Sequence, residues 1–168
     1  MTPEQLADRL EIRDLIARYC RAIDRRDLDA LRGIYAPGGI DHHTGFDGDV
    51  EAFIVWVGEL LPGFDGTLHV LGNHLAFFFF DRAISEIYSA AHHWGTPGDD
   101  PAKNFTSLVR YVDDLVRIDG RWRIRERWAV REHALSEAGR AMVRTQPGPE
   151  ATHDGDDPYT RLARAFRR

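Results

Sequence analysis

The sequence predicts an α+β domain, with three N-terminal helices packed on a strongly curved antiparallel sheet and a short helix closing the chain. Three observations predict it. Apolar residues recur at helical spacing as far as residue 61, and from residue 67 the period gives way to long β-rich runs. Between two of those runs stands Asp119-Gly120, a dipeptide suited to a two-residue hairpin turn. A chain of 168 residues with a 43% apolar fraction has material for one domain with a sizeable core.

Thr2 is placed to cap the first helix, with Pro3 in its first turn and Gln5 completing a capping box. Ile12, Ile16, Tyr19 and Ile23 form its buried stripe, and the helix is expected to end near Asp24. Asp27 is a candidate cap for a second helix through Leu31, Ile34 and Tyr35, stopped by Pro37-Gly38-Gly39. Residues 38–48, rich in Gly, Asp and His, read as a loop, and a third helix follows over 50–61 until Pro62-Gly63. The β-rich runs cover 67–80, 83–94, 104–118 and 121–133 and predict a four-stranded meander. The core domain is expected to span 1–144. Residues 145–168 form a Pro/Gly/Asp-rich segment ending in a basic helix over 159–168, a candidate lid.

Composition excludes several functions. A net charge of −5, with Arg interleaved among acids, is no footprint for nucleic acid. The N-terminus has no apolar signal region and the run 75–80 is far too short to span a membrane, so a cytoplasmic protein is expected. The lone Cys20 forms no intrachain disulfide and, beside the apolar stripe, suits packing rather than nucleophilic work. The adjacent pair His42-His43 lacks the spacing of a zinc site. Neither a nucleophile elbow nor a phosphate loop is present. The continuous run Phe77–Phe80 suggests a strand covered on both faces, one of them by another subunit.

Several residues are candidates for a site. Asp24 at a helix end and His69 near a strand start would form an oriented base if the fold joined them, since a carboxylate on one ring nitrogen fixes the tautomer. Strand alternation puts His93 on a face with Ile87, Ser89 and Ala91, suited to a cavity wall, and sends His92 outward with Tyr88 and Trp94. Alternation also groups Arg127 with Arg123, Arg125 and Arg131, the pattern of a solvated basic face. Tyr19 reads as core. Tyr35, Phe46, Phe53 and Trp56 read as core or as substrate-binding lining.

The segments Ile12-Arg-Asp-Leu-Ile-Ala-Arg-Tyr-Cys-Arg-Ala-Ile-Asp24, Thr67-Leu-His-Val-Leu-Gly-Asn73, Ala83-x-x-Glu86-x-Tyr88-x-x-Ala91-x-His93, Arg110-Tyr-Val-Asp-Asp114 and Asp119-Gly-Arg-Trp-Arg-Ile-Arg-Glu-Arg127 together resemble the SnoaL-like, nuclear-transport-factor-2-like superfamily. The likeness is to its scytalone dehydratase and bile-acid dehydratase branch and runs over residues 5–133. It implies a cone-shaped α+β barrel, homo-oligomeric (trimer or dimer), with a cofactor-free pocket for a small hydrophobic, aromatic or polycyclic substrate. It implies a lyase of the dehydratase type in which His69 and Asp24 form a His–Asp dyad, with Tyr19, His93 and Arg127 as further catalytic residues. Tyr19 and Arg127 would then hold an enolate oxygen, while His93 would protonate or hydrogen-bond the leaving hydroxyl. An isomerase or cyclase using the same dyad, and a non-catalytic small-molecule-binding domain, are the alternatives, because one fold hosts many functions.

Overall fold

The computed structural model describes residues 2–136. Helix α1 (Pro3–Arg25) is capped as expected: Thr2 Oγ1 accepts from the Gln5 amide at 3.2 Å and Gln5 Oε1 from the Thr2 amide at 3.0 Å. Arg26, with φ 55°, ends it in the left-handed conformation. Helix α2 is shorter than expected, Leu28–Arg32, and the Asp27 side chain makes no capping bond. Helix α3 (Val50–Leu60) is capped by Asp49, whose carboxylate accepts from the Ala52 amide at 2.9 Å.

Residues 35–49, expected to be a helix end and a loop, form two strands instead, β1 (Tyr35–His43) and β2 (Phe46–Asp49). They precede β3 (Gly66–Phe79), β4 (Arg82–Trp94), β5 (Phe105–Ile118) and β6 (Arg121–Ser136). The sheet is six-stranded and open, in the order β2-β1-β6-β5-β4-β3. It is mixed rather than wholly antiparallel, because β1 runs parallel to β6. Pro37-Gly38-Gly39 is not a stop but a bulge: the β1–β6 register slips between Tyr35 and Ile40, and Gly38 sits at φ 69°. A Cβ at Gly39 would lie 3.0 Å from the carbonyls of both Ala36 and Ile124, so the close strand approach requires glycine. Asp119-Gly120 turns the β5–β6 hairpin with both residues at positive φ, as expected.

The concave face packs on α1 and α3 around Ile12, Ile16, Phe53, Ile87, Leu115, Trp122 and Ile124. Beta bulges decide which residues reach this face. In β6 the register slips at Arg125, between the pairs Ile124–Leu115 and Glu126–Asp114. That slip reverses the alternation, so Arg127 joins Trp122 and Ile124 inside while Trp128 and Val130 turn outward. The expectation of a solvated Arg127 is therefore corrected. Its guanidinium is fully buried, clamped bidentately by Asp113 at 2.7 and 2.8 Å, and stands 4.1 Å and 4.4 Å from the ring centres of Tyr19 and Tyr111.

The run Phe77–Phe80 is not covered on both faces: it alternates as far as Phe79, and Phe80 stands fully exposed in the turn that follows. Phe78 packs inward against Trp122, whereas Phe77 and Phe79 are about 60% exposed. The expected helix over 159–168 and the whole of 145–168 lie outside the described residues. Among the described residues no helix is long and apolar enough to cross a membrane.

Removing either partner of the buried Arg127–Asp113 pair strands a charge in the interior. Asp113→Ala is accordingly expected to lower stability by about 3–5 kcal/mol in urea unfolding, and Arg127→Lys to leave most of that loss unrepaired, because an ammonium cannot form the fork.

Candidate active site

Between the concave sheet face, α1 and α3 lies a cavity of about 300 Å³. Tyr19 and Ile23 of α1, Phe53 and Trp56 of α3, His43 of β1, His69 of β3, Ala91 and His93 of β4, and Phe105, Val109 and Tyr111 of β5 contribute to its lining. It is mostly apolar with a few convergent polar groups, the usual character of a small-molecule site.

Asp24 and His69 meet at one end. His69 Nδ1 lies 2.7 Å from Asp24 Oδ1, the His69 amide donates to Oδ2 at 2.9 Å, and the Thr67 hydroxyl donates to Oδ1 at 2.9 Å. Burial pushes the Asp24 carboxyl up, but the hydrogen bonds and charge of His69, with Thr67, outweigh it and hold the group below its usual range. An ionised Asp24 requires a proton on Nδ1, so it is in the neutral ring that Nε2 carries the lone pair as the nitrogen available to the cavity.

His93 lies beside His69, their ring centres 6.3 Å apart, stacked on Phe105 at 4.3 Å. Its Nδ1 is 3.1 Å from the Ala91 carbonyl, an atom that only accepts, so Nδ1 carries the proton. Burial, then the charge of His69, pushes the imidazole down to about 4. A neutral His93 with Nδ1 occupied presents an acceptor at Nε2. It can receive a hydrogen bond from a hydroxyl but has no proton to give one, which narrows the role expected of it.

Two further candidates stand behind the lining rather than in it. Arg127 does not line the cavity; it lies beneath the rings of Tyr19 and Tyr111 and balances Asp113, not Asp24. Tyr35 is also buried behind it, its hydroxyl donating to Asp41. Phe46 packs on Phe53 and Trp56 but lines a shallow groove at the β1–β2 edge with His42 and Trp128. Burial raises the Tyr19 phenol well above its ordinary value, so it acts as a neutral donor. Burial likewise takes the Cys20 thiol up to about 12, which removes it as a nucleophile.

His43 was legible in the sequence only as half of a doubtful pair. Because 42–43 lie on a strand, the two rings part: His42 turns outward to Asp47, Glu126 and Trp128, and His43 inward to the cavity. There His43 Nδ1 bonds Asp41, and Nε2 stands 3.4 Å from the Tyr19 hydroxyl. The alternation Asp41-x-His43 was the available signal, once 35–43 was known to be a strand.

Comparison with known proteins agrees with the fold. Residues 4–128 match the SnoaL-like domain family, and the chain belongs to it. The uncharacterized protein Rv2910c of Mycobacterium tuberculosis is 33% identical over 123 residues, 71% of this chain and 82% of that one. A protein of Novosphingobium aromaticivorans provisionally named a scytalone dehydratase superposes with a TM-score of 0.73 at 19% identity, covering 87% of this chain and all of the other. Hexachlorocyclohexane dehydrochlorinase LinA-type3 of Novosphingobium barchaimii superposes with a TM-score of 0.69 at 20% identity, covering 84% and 97%. At these identities the structural likenesses establish the shared cone-like fold.

The neutral state of His93 has a measurable signature. Between pH 6.5 and 4 the unfolded chain takes up a proton that the buried imidazole refuses, so stability falls as the pH drops through that window. His74, pushed down to about 4 by burial and by Arg9 and Arg13, acts in the same direction. His93→Gln is expected to reduce the stability lost across that range by at most about 3 kcal/mol in unfolding experiments, with His74 contributing to what remains. His42 opposes it, because burial pushes its imidazole down but bonds to Glu126 and Asp47 outweigh that and raise it.

Proposed function

We propose that this SnoaL-like protein is a cofactor-independent lyase of the dehydratase type, acting on a hydrophobic cyclic or aromatic substrate with a hydroxyl β to a carbonyl. The observation that carries the reading is the 2.7 Å contact of His69 Nδ1 with buried Asp24 at the wall of an apolar cavity. The scytalone dehydratase and dehydrochlorinase names among its structural relatives support elimination chemistry on a ring.

In this mechanism His69 Nε2 takes the proton from the carbon between carbonyl and carbinol, and the C–H electrons pass into the carbonyl as an enolate. Asp24 stabilises the imidazolium so formed. Tyr19 donates to the enolate oxygen, and Arg127, 4.1 Å beneath its ring, favours negative charge there without touching the substrate. The hydroxyl is oriented by donating to His93 Nε2. When the enolate collapses and the C–O bond breaks, the departing oxygen takes the proton from His69 and leaves as water. One base serves both transfers and no net proton is consumed. Phe53 and Trp56 supply apolar walls for the ring.

The bicyclic β-hydroxy ketone 3-hydroxy-1-tetralone tests this, because loss of water from it gives 1-naphthol. Wild-type protein is expected to form naphthol, and His69→Ala and Asp24→Asn each to lose about 10²–10⁴-fold of the rate while remaining folded. Near-normal rates in both variants would remove the pair from the mechanism. A product of unchanged mass would indicate an isomerase or cyclase, and a ligand recovered intact a binding domain.

The convex face of the sheet supports a homo-oligomer. Leu68, Val70, Leu75, Phe77, Phe79, Ile84 and Tyr88 are each 45% or more exposed on it. So broad an apolar surface is rarely left to solvent. Sedimentation is expected to show a multimer that Phe77→Asp with Phe79→Asp dissociates; a wild-type monomer would contradict the assignment.

A further inference from the structure

His43, Asp41 and Tyr35 form a second carboxylate–imidazole system, and neither the family likeness nor the dyad accounts for it. Asp41 is fully buried; Tyr35 donates to one of its oxygens and His43 Nδ1 bonds the other. So complete an arrangement holds the ring in one tautomer and one orientation. The ring is enclosed by Phe53 at 5.2 Å and by Trp56 and Tyr111 at 6.3 Å each. His69 contacts the ring of His93, and His93 those of Phe64 and Phe105, a different aromatic set, so the cavity has two polar poles.

Charge balance bears on what His43 does. Arg127 is the register partner of both Asp41 on β1 and Asp113 on β5, and all three side chains are fully buried. One guanidinium faces two carboxylates and is clamped by Asp113. His43 is thus the basic group that meets Asp41, while the Tyr35 hydroxyl takes the other carboxylate oxygen. The distance from His43 Nε2 to the Tyr19 hydroxyl, 3.4 Å, exceeds that of a good hydrogen bond. Both groups therefore keep capacity for a third atom, and an oxygen between them would accept from each.

We propose that His43, oriented by Asp41 and Tyr35, is a substrate-binding residue that together with Tyr19 forms an oxyanion site at the pole away from His69. The site takes the carbonyl or enolate oxygen of the cyclic substrate. His43 adds beside Tyr19 a donor that Arg127, behind the lining, does not supply and that His93, an acceptor, cannot; Arg131 also lines the cavity. The substrate class sharpens accordingly: a ring whose acidic C–H lies at His69 while its carbonyl oxygen reaches His43. This inference rests on the reading of the cavity as an active site, but its test does not depend on turnover.

The probe is 1-naphthol, a stable mimic of the enolate, whose absorbance distinguishes neutral naphthol from naphtholate. Bound to wild-type protein it is expected to shift toward the naphtholate spectrum. His43→Asn keeps a donor for Asp41 but loses Nε2, and it is expected to abolish the shift and weaken binding by about tenfold or more. Asp41→Asn, which takes the carboxylate away from His43 Nδ1, is expected to do the same, and thermal unfolding of both verifies that they are folded. His69→Ala is expected to keep the shift while losing turnover of 3-hydroxy-1-tetralone. A shift that survives in folded His43→Asn, or no shift in the wild type, overturns the proposal whatever the turnover. A shift that depends on His43 without any wild-type turnover upholds the oxyanion site and rejects the dehydratase reaction.

Discussion

The placement of one buried cation governs much of this structure. Arg127 lies behind the floor of the cavity, held by Asp113 and covered by the faces of Tyr19 and Tyr111, which form that floor. An isolated charge in such a place would cost several kcal/mol, so a guanidinium is tolerated there only with its carboxylate and its rings together. Satisfying it binds α1 to β5 and β6 and fixes the ring of Tyr19, which forms part of the cavity wall. The bulge at Arg125 that admits Arg127 also sends Trp128 and Val130 to the convex face. One slip of register thus shapes the floor of the site and contributes to the apolar outer surface.

Around that floor the protein uses the same device twice. Asp24 holds Nδ1 of His69 and Asp41 holds Nδ1 of His43, each from a buried carboxylate with a hydroxyl donor of its own, Thr67 in one case and Tyr35 in the other. His93 differs because its Nδ1 meets a carbonyl rather than a carboxylate, while burial and the neighbouring His69 keep its ring neutral. What each Nδ1 meets and where each ring stands in the cavity together divide it into a base, an acceptor and an oxyanion pole in the proposed mechanism.

The same physics explains which parts of the site were legible. Asp24 and His69 could be found because each sits at the end of an element that sequence marks clearly, a 23-residue amphipathic helix and a long strand. Strand alternation placed His93 correctly since β4 carries no bulge between Ala83 and His93 in its pairing with β5. It misplaced Arg127 because a bulge adds one residue and reverses every later side chain, and nothing in Arg-Trp-Arg-Ile-Arg-Glu-Arg announces where the extra residue falls. His43 was hidden for a related reason: Pro37-Gly38-Gly39 carries the local signature of a turn, yet here it crosses a bulge in a strand.

By itself the sequence determined the α+β class, the capping box of the first helix, the Asp119-Gly120 hairpin and the four long strands that follow the third helix. These are short-range properties, set by side-chain period, capping groups and backbone preference within a few residues. Tertiary structure alone decided that β1 and β2 extend the sheet, that β1 runs parallel to β6, and that Arg127 and Tyr35 stand behind the cavity while His43 lines it. Those outcomes depend on register between strands, β1 against β6 across most of the chain and β5 against β6 across a hairpin, where one inserted residue exchanges inside for outside.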